Sequence, residues 1–395
     1  MSQVLLLRQT GYEPSAIESA VGRAFDFFGG TKRFVAPGDK VLLKVNLVAG
    51  HKPARRVTTD PSIVEAAARL VLDCGGRPVI ADSPGIDSFN RAAEKAGLKD
   101  VARRLGIPCV ELDAPVALPP GESFHKIEVG RLVREADVVL NLPKMKTHGQ
   151  MLLTLGVKNL FGCVVGRAKA AWHYNVGLNR ERFASLLLDI YKGVAPAFTL
   201  LDGVIGMDGD GPTSGRPFPY GVIAAAEDAL TLDFWLCRML GVPLEDFPLW
   251  RAARQRGLPE CELKDEAIAG DFSPAHRFSG VQVPATHSLR LIPRLPFVGP
   301  LIERAMTSRP VHIPERCVGC GRCQEVCAAG ALKYSGQARA VSDPIQARAV
   351  SDPIRSLSFD YSKCIRCYCC QEMCPVQAIG FKESPLVRLG KIIGL

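Results

Sequence analysis

Short apolar runs alternate with stretches of helical periodicity through residues 1–283. VLLLRQ at residues 4–9 reads as a first strand, followed by a helix over Ser15–Phe28 and a buried strand, KVLLKVNLV, over Lys40–Val48. Asp60 followed by Pro61 pairs a favoured N-cap with a residue suited to the first helical position, so a helix is predicted from there through Leu72. RPVIAD (77–82) is the next strand and Ser88–Ala96 the next helix. Strands are then predicted at Pro108–Leu112, Asp137–Leu142, Phe198–Ile205 and Tyr220–Ala226, with a helix at Ala229–Leu240. This alternation predicts an α/β fold, a mainly parallel sheet with helices on both faces.

In such sheets ligands bind beyond the carboxyl ends of the strands. Lys44 and Asn46 end one predicted strand, and Asp82 and Ser83 end another. After DVVLNLP come Lys144, Lys146, Thr147 and His148, expected in a loop, and a helix from near Gln150 is expected to contain Lys158 and Asn159. Two lysines beside a threonine and a histidine suit the grip of a carboxylate or phosphate, and a histidine titrating near neutrality suits a proton donor. On this reading Lys44, Asn46, Lys144, Thr147, Lys158 and Asn159 bind an anionic small molecule or cofactor, and His148 with Lys146 serves the chemistry. The plainer reading, solvated loop lysines and packed histidines, stays open for each, as it does for Arg167, Lys169 and His173 further on. Asp208-Gly-Asp210-Gly begins like a calcium loop, but Pro219 stands where the closing glutamate is needed, so a Gly-rich turn is expected.

Composition sets the limits. The chain has 395 residues, 47% hydrophobic and 23% charged, enough to bury a sizeable core and long enough for more than one domain. The net charge of +9 is spread along the chain without a basic tract, which argues against a nucleic-acid platform and suits anionic small molecules or an acidic redox partner. No apolar run is long enough for a membrane span, and no basic segment precedes the first apolar run, so a cytoplasmic protein is expected. The motifs G-x-G-x-x-G, G-x-x-x-x-G-K-[ST], H-E-x-x-H and G-x-S-x-G are missing, which leaves the identity of any organic cofactor unknown.

The fourteen cysteines change the picture. Cys74, Cys109, Cys163, Cys237 and Cys261 sit singly in apolar or helical surroundings and read as packing residues, whereas nine lie between Cys317 and Cys374. Cys317, Cys320, Cys323 and Cys327 form C-x2-C-x2-C-x3-C, and Cys364, Cys367, Cys370 and Cys374 repeat it, followed by Pro375. In this spacing three thiolates come from one tight run and the fourth from the other. Cys317, Cys320, Cys323 and Cys374 are therefore expected to hold one 4Fe-4S cluster, and Cys364, Cys367, Cys370 and Cys327 a second. A pair of zinc sites would leave the regular third and fourth cysteines unexplained. Cys369 is a spare thiol beside Cys370, and Ala328 stands where the other run has proline. Between the runs QARAVSDPI (337–345) is repeated unchanged at 346–354, which reads as a lengthened loop.

These runs resemble the bacterial two-cluster ferredoxins, which implies a small α+β ferredoxin-like module over 310–382, joined by a Pro-containing linker (284–309) and followed by a tail (383–395). Upstream, KVNLV (44–48), DPSIVEAAARLV (60–71), ADSPG (81–85), LNLPKMKTHGQMLLTLGVKNLFGCVVG (140–166) and LLDGVIGMDGDGP (200–212) resemble the domain-of-unknown-function 362 family, whose members often end in such a module. That resemblance implies an iron-sulfur protein of the redox type without supplying a substrate. The expectation is a ferredoxin-dependent oxidoreductase taking electrons from a ferredoxin-like partner. Two alternatives remain, a non-catalytic electron-transfer or accessory subunit, and a non-redox enzyme or sensor with structural clusters.

Overall fold

A computed structural model describes residues 2–85, 87–166, 168–177, 179–284, 307–334 and 357–382. Arg167, the tandem repeat, the tail and most of the linker lie outside the described residues. The chain separates into two compact units, residues 1–169 with 180–284, and residues 170–179 with 285–395.

The first unit is built on a sheet whose strands follow the predicted runs closely. They are β1 (Val4–Arg8), β2 (Lys40–Val45), β3 (Arg77–Asp82), β4 (Cys109–Glu111), the separate pair β5 (Pro115–Ala117) and β6 (Glu128–Gly130), β7 (Val138–Leu142), β8 (Lys144–His148), β9 (Leu152–Thr154), β10 (Phe198–Asp208), β11 (Arg216–Phe218), β12 (Val222–Ala226) and β13 (Ile268–Gly270). Among the described residues eleven of these form one sheet, ordered β13-β1-β12-β10-β7-β2-β3-β4, with β11 and β8 paired to β10 and β9 to β8. The run β10-β7-β2-β3-β4 is parallel, and β12 runs antiparallel to both β1 and β10. The fold is thus α/β with a mainly parallel, mixed sheet.

Helices α1 (Pro14–Phe27) and α2 (Pro61–Asp73) cover one face. Asp60 caps α2 by accepting from Ser62 N, with Pro61 in the first turn. Ile17, Val21 and Phe25 of α1 and Val64, Ala67 and Val71 of α2 pack with Leu43, Ile80 and Phe198 in one apolar cluster. The Phe25 and Phe198 rings lie 4.6 Å apart. Strand residues alternate between faces, so Phe198 and Leu200 join this cluster while Thr199 turns away and accepts from Asn141 Nδ2. The remaining helices of the unit are α3 (Phe89–Lys95), α4 (Leu98–Leu105), α5 (Arg131–Glu135), the single turn α6 (Gly156–Asn159), α7 (Ala168–Val176), α8 (Arg180–Val194), α9 (Ala229–Met239) and α10 (Pro248–Gln255). Residues 170–176 of α7 group with the second unit.

One expectation is corrected. Lys144–His148 is not a loop but strand β8, parallel to β10 and antiparallel to β9, and the helix carrying Lys158 and Asn159 is a single turn starting at Gly156. The reason lies in the alternation: Lys144 and Lys146 point the same way from an extended chain, and both ammonium groups find oxygen partners inside the protein.

The second unit contains β14 (Arg309–His312) paired antiparallel with β17 (Ile379–Lys382), and β15 (Leu332–Tyr334) paired antiparallel with β16 (Leu357–Phe359). Two single-turn helices, α11 (Arg322–Glu325) and α12 (Cys369–Glu372), repeat one another along its sequence. Among the described residues no helix is long and apolar enough to cross a membrane.

The crowding around β10 gives a direct test. A Cβ on Gly206 would lie 2.3 Å from Met145 O, whereas one on Gly22 inside α1 meets nothing within 4 Å. Gly206→Ala is expected to destabilise by about 2 kcal/mol or more. Gly22→Ala should stabilise by about 0.5–1 kcal/mol. Chemical denaturation of both variants checks the contrast, and equal effects would contradict this packing.

Candidate functional site

The carboxyl ends of β2, β3 and β7, together with β8 and the start of β10, gather a set of charged and amide side chains out of water. Lys44, Lys144 and Lys146 are 0%, 0% and 1% exposed. Lys44 Nζ lies 3.0 Å from Asp82 Oδ1, and Asp82 also accepts from the backbone N–H groups of Leu47 and Ser83. Lys144 Nζ donates to Asp202 Oδ2 at 2.7 Å and to the Tyr12 hydroxyl at 2.7 Å. Tyr12 in turn donates to Asp202 Oδ1, and the second Asp202 oxygen also accepts from Asp60 N. Burial pulls the Lys144 ammonium below the usual lysine range even though Asp202 holds it up, and burial with the Asp202 charge pushes the Tyr12 phenol well above its ordinary value. Lys146 Nζ donates to Asn46 Oδ1 and Val57 O, at 2.6 and 2.7 Å.

An amide relay links the pairs. Asn46 Nδ2 donates to Asn159 Oδ1, and Asn159 Nδ2 donates to Asn141 Oδ1 and to Lys44 O. The two glycines of GVKNLFG let α6 and the following turn approach this floor: a Cβ on Gly162 would fall 2.6 Å from both Asp82 Oδ1 and Lys44 Nζ, and one on Gly156 would fall 3.1 Å from Asp233 Oδ1. Asp233 holds that end of α6 by accepting from Gly156 N and Val157 N.

The structure therefore brings Lys44, Asn46, Lys144, Lys146 and Asn159 into one network. The other predicted residues are placed differently. Thr147 donates its hydroxyl to Gly209 O, and Lys158 lies over the Phe161 and Phe183 rings, 4.8 and 5.3 Å from their centroids. His148 is buried, and its Nδ1 accepts from Gln150 N and Met151 N, so its proton sits on Nε2.

Sequence reasoning missed Tyr12, Asn141 and His51. Asn141 was visible as an amide inside the apolar run DVVLNL, while Tyr12 and His51 stand in segments with no distinguishing pattern. His51 is buried in the turn after β2, and that burial, with the nearby charges of Arg55, Lys146 and Lys95 outweighing Asp87, lowers its pKa to about 4. Lys169 is half-buried and donates to Ser83 O at 2.6 Å; desolvation lowers it to about 8, against the opposing pull of Asp82.

In the second unit two cavities face the cysteines. One is lined by Cys317, Cys320 and Cys323 of the first run and by Cys374 of the second; the other by Cys364, Cys367 and Cys370 of the second run and by Cys327 of the first. They enclose similar space, about 380 and 360 Å³ with their open sides included. The fourth cysteine of each run accepts a backbone N–H from four residues on, Ala331 N to Cys327 Sγ at 3.3 Å and Ala378 N to Cys374 Sγ at 3.1 Å. Ala328 in place of proline does not disturb this repetition. Burial and its neighbours Cys374, Cys320 and Cys317 push the Cys323 thiol up to about 12. Burial and Cys367, Cys364, Cys323 and Cys327 likewise raise Cys370. Such thiols ionise together only if a positive centre answers their charge, as the iron of an iron-sulfur cluster does. Among the described residues no His, Cys, Asp or Glu group converges on a position for a single metal ion.

Comparison with known proteins agrees with this division. The family described as domain of unknown function (DUF362) matches residues 41–238, and a 4Fe-4S dicluster domain matches residues 316–378. The thylakoid-associated protein sll1697 of Synechocystis sp. is 38% identical over 258 residues, 65% of this chain and 80% of that protein. A structure of the lactate racemase apoprotein from Thermoanaerobacterium thermosaccharolyticum aligns at 16% identity with a TM-score of 0.38, over 58% of this chain. The chain spans 55% of the length of that structure.

The Lys144–Asp202 pair should behave as a coupled unit. Asp202→Asn or Lys144→Met alone leaves its partner under-compensated in the interior, at a cost of about 3–5 kcal/mol. The double variant should lose at least about 1 kcal/mol less than the sum. Urea denaturation of the three variants checks this, and simple additivity would contradict the pairing.

Proposed function

We propose that this chain, which belongs to the DUF362 family and carries a 4Fe-4S dicluster domain, is an electron-transferring oxidoreductase acting on an anionic small molecule or bound cofactor in its α/β unit. The observation that carries the reading is the pair of cavities whose cysteines cross between the two runs. Cys317, Cys320, Cys323 and Cys374 hold one cluster, and Cys364, Cys367, Cys370 and Cys327 the other. The bound clusters supply one-electron transfer, with a ferredoxin-like protein as donor or acceptor.

The chain's own residues do the rest. The Ala331 and Ala378 N–H groups orient the crossing sulfurs. In the α/β unit Lys44, Lys144, Lys146, Asn46 and Asn159 form a rigid polar floor, since each ammonium already has oxygen partners. His51 and Lys169 are the groups best suited to meet an arriving anion: the first lies in a field dominated by cations, and the second keeps a proton near neutral pH. His148, with its proton on Nε2, orients the ligand by hydrogen bonding and not by proton transfer, and Thr147 and Lys158 shape the surrounding turns.

A second reading, an accessory electron-transfer subunit, draws on two observations. The buried lysines are satisfied without a ligand, and the relative's name places it with thylakoids, which favours a membrane-surface location over a free cytoplasmic one.

Anaerobic purification should yield about eight iron and eight sulfide per chain. Cys374→Ala should abolish the cluster of the first run although it lies in the second; if Cys374→Ala and Cys370→Ala strip the same cluster, the crossing is wrong. Mass spectrometry should find a co-purifying anionic cofactor, or a metabolite panel should oxidise the reduced clusters. Neither result, in protein with full iron, leaves the accessory reading standing. Because Lys169 loses its proton as pH rises through about 8, anion affinity should fall between pH 7 and pH 9 in the wild type and stay flat in Lys169→Met. A wild-type affinity unchanged over that range would remove Lys169 from the site.

A further inference from the structure

The cysteine unit repeats itself around its two runs, and one position breaks the repeat. β14 ends at His312 and β16 at Phe359, each five residues before the first cysteine of its run, Cys317 or Cys364. Pro310 and His312 thus correspond to Leu357 and Phe359. Each strand serves both cavities. From β14, Pro310 lines the cavity of the Cys364 run and His312 that of the Cys317 run. From β16 the order is exchanged, with Leu357 on the cavity of the Cys317 run and Phe359 on that of the Cys364 run. The pairing partners correspond as well, Ile379 opposite His312 and Leu332 opposite Phe359.

Directly opposed residues of an antiparallel pair share one face. Ile379 is 2% exposed and lies in the apolar cluster of Leu332, Leu357 and Cys370, with Cys323 and Cys327 packed against it. The His312 side chain therefore faces inward with Ile379. Its Nε2 is buried and has no hydrogen-bond partner among the described residues. Pro310, Leu357 and Phe359 carry no polar side-chain atom, so the fold itself does not call for one at this place. A buried ring nitrogen costs free energy unless something answers it. The sulfurs of an iron-sulfur cluster accept hydrogen bonds, and a neutral imidazole has one N–H to give.

Resting on the ligand assignment above, we propose that His312 is a positioning residue and not a ligand, and that its Nε2–H donates to a sulfur of the cluster held by Cys317, Cys320, Cys323 and Cys374, raising that cluster's one-electron reduction potential. Reduction adds one electron, taken from the ferredoxin-like donor, and so one negative charge to the cluster and its thiolates. A donor aimed at a sulfur stabilises the reduced state more than the oxidised one. The proton stays on His312, and no bond is made or broken. Phe359 gives the other cluster no such donor at the related position, so the two sites are built unequal.

The test is a redox titration of the full chain at pH 8, above the ordinary imidazole range, after purification without oxygen. Electron paramagnetic resonance follows wild type, His312→Phe and His312→Gln. His312→Phe, which copies the related position, should keep full iron, shift one midpoint potential to a more negative value and leave the other in place. His312→Gln, which returns an N–H donor, should recover part of that shift. Pulsed resonance of the reduced wild type should show weak coupling to a histidine nitrogen, identified by isotopic labelling and lost in His312→Phe. Unchanged potentials, an equal shift of both, or a wild type without that coupling would each overturn the proposal. Loss of about half the iron in His312→Phe would overturn it too, by making His312 a ligand. A wild-type chain lacking two clusters would instead overturn the ligand assignment, and this proposal with it.

Discussion

A charge can be taken out of water only where something answers it, and both units of this protein are organised by that requirement. In the α/β unit the charges are ammonium groups, and the answer comes from within the chain: Asp82 for Lys44, Asp202 for Lys144, Asn46 and a backbone carbonyl for Lys146. In the cysteine unit the charges are thiolates, and eight buried or half-buried thiols drawn around two cavities have their answer in iron. The first arrangement is complete as it stands; the second depends on a group the polypeptide does not make.

The internal compensation in the α/β unit has a consequence for its chemistry. A floor of paired charges at the carboxyl ends of parallel strands costs desolvation that an apolar floor would not. It also fixes geometry. Gly162 passes so close to the Lys44–Asp82 pair that no larger residue fits without moving it, and Gly156 and Asp233 lock the start of the same turn. On the proposed reading, preorganisation of this kind would leave ligand recognition to groups such as His51 and Lys169 at the edge of the network.

Much of this was legible in the sequence, for identifiable reasons. Apolar runs gave the strand positions, and Asp60–Pro61 gave the start of α2 because cap and first-turn preferences are local. The cysteine spacing marked both runs as an iron-sulfur module, in agreement with the 4Fe-4S dicluster match, since gaps of two residues leave little freedom. The segment 144–148 was misread as a loop because its polar residues look exposed until their partners are known, and those partners, Asp202, Tyr12, Asn46 and Val57, lie far away in the chain. The same distance hid His51, whose surroundings come from Arg55, Asp87, Lys95 and Lys146.

On the proposed assignment, ligands crossing between the two runs would hold two clusters within one small unit, close enough for their unpaired electrons to couple once both are reduced. The most direct test of the account is therefore the electron paramagnetic resonance spectrum of the fully reduced wild-type chain. The account predicts a broadened, magnetically coupled signal integrating to about two spins per chain. A narrow signal of a single isolated spin, or the absence of any iron-based signal from protein with its metal intact, would contradict it.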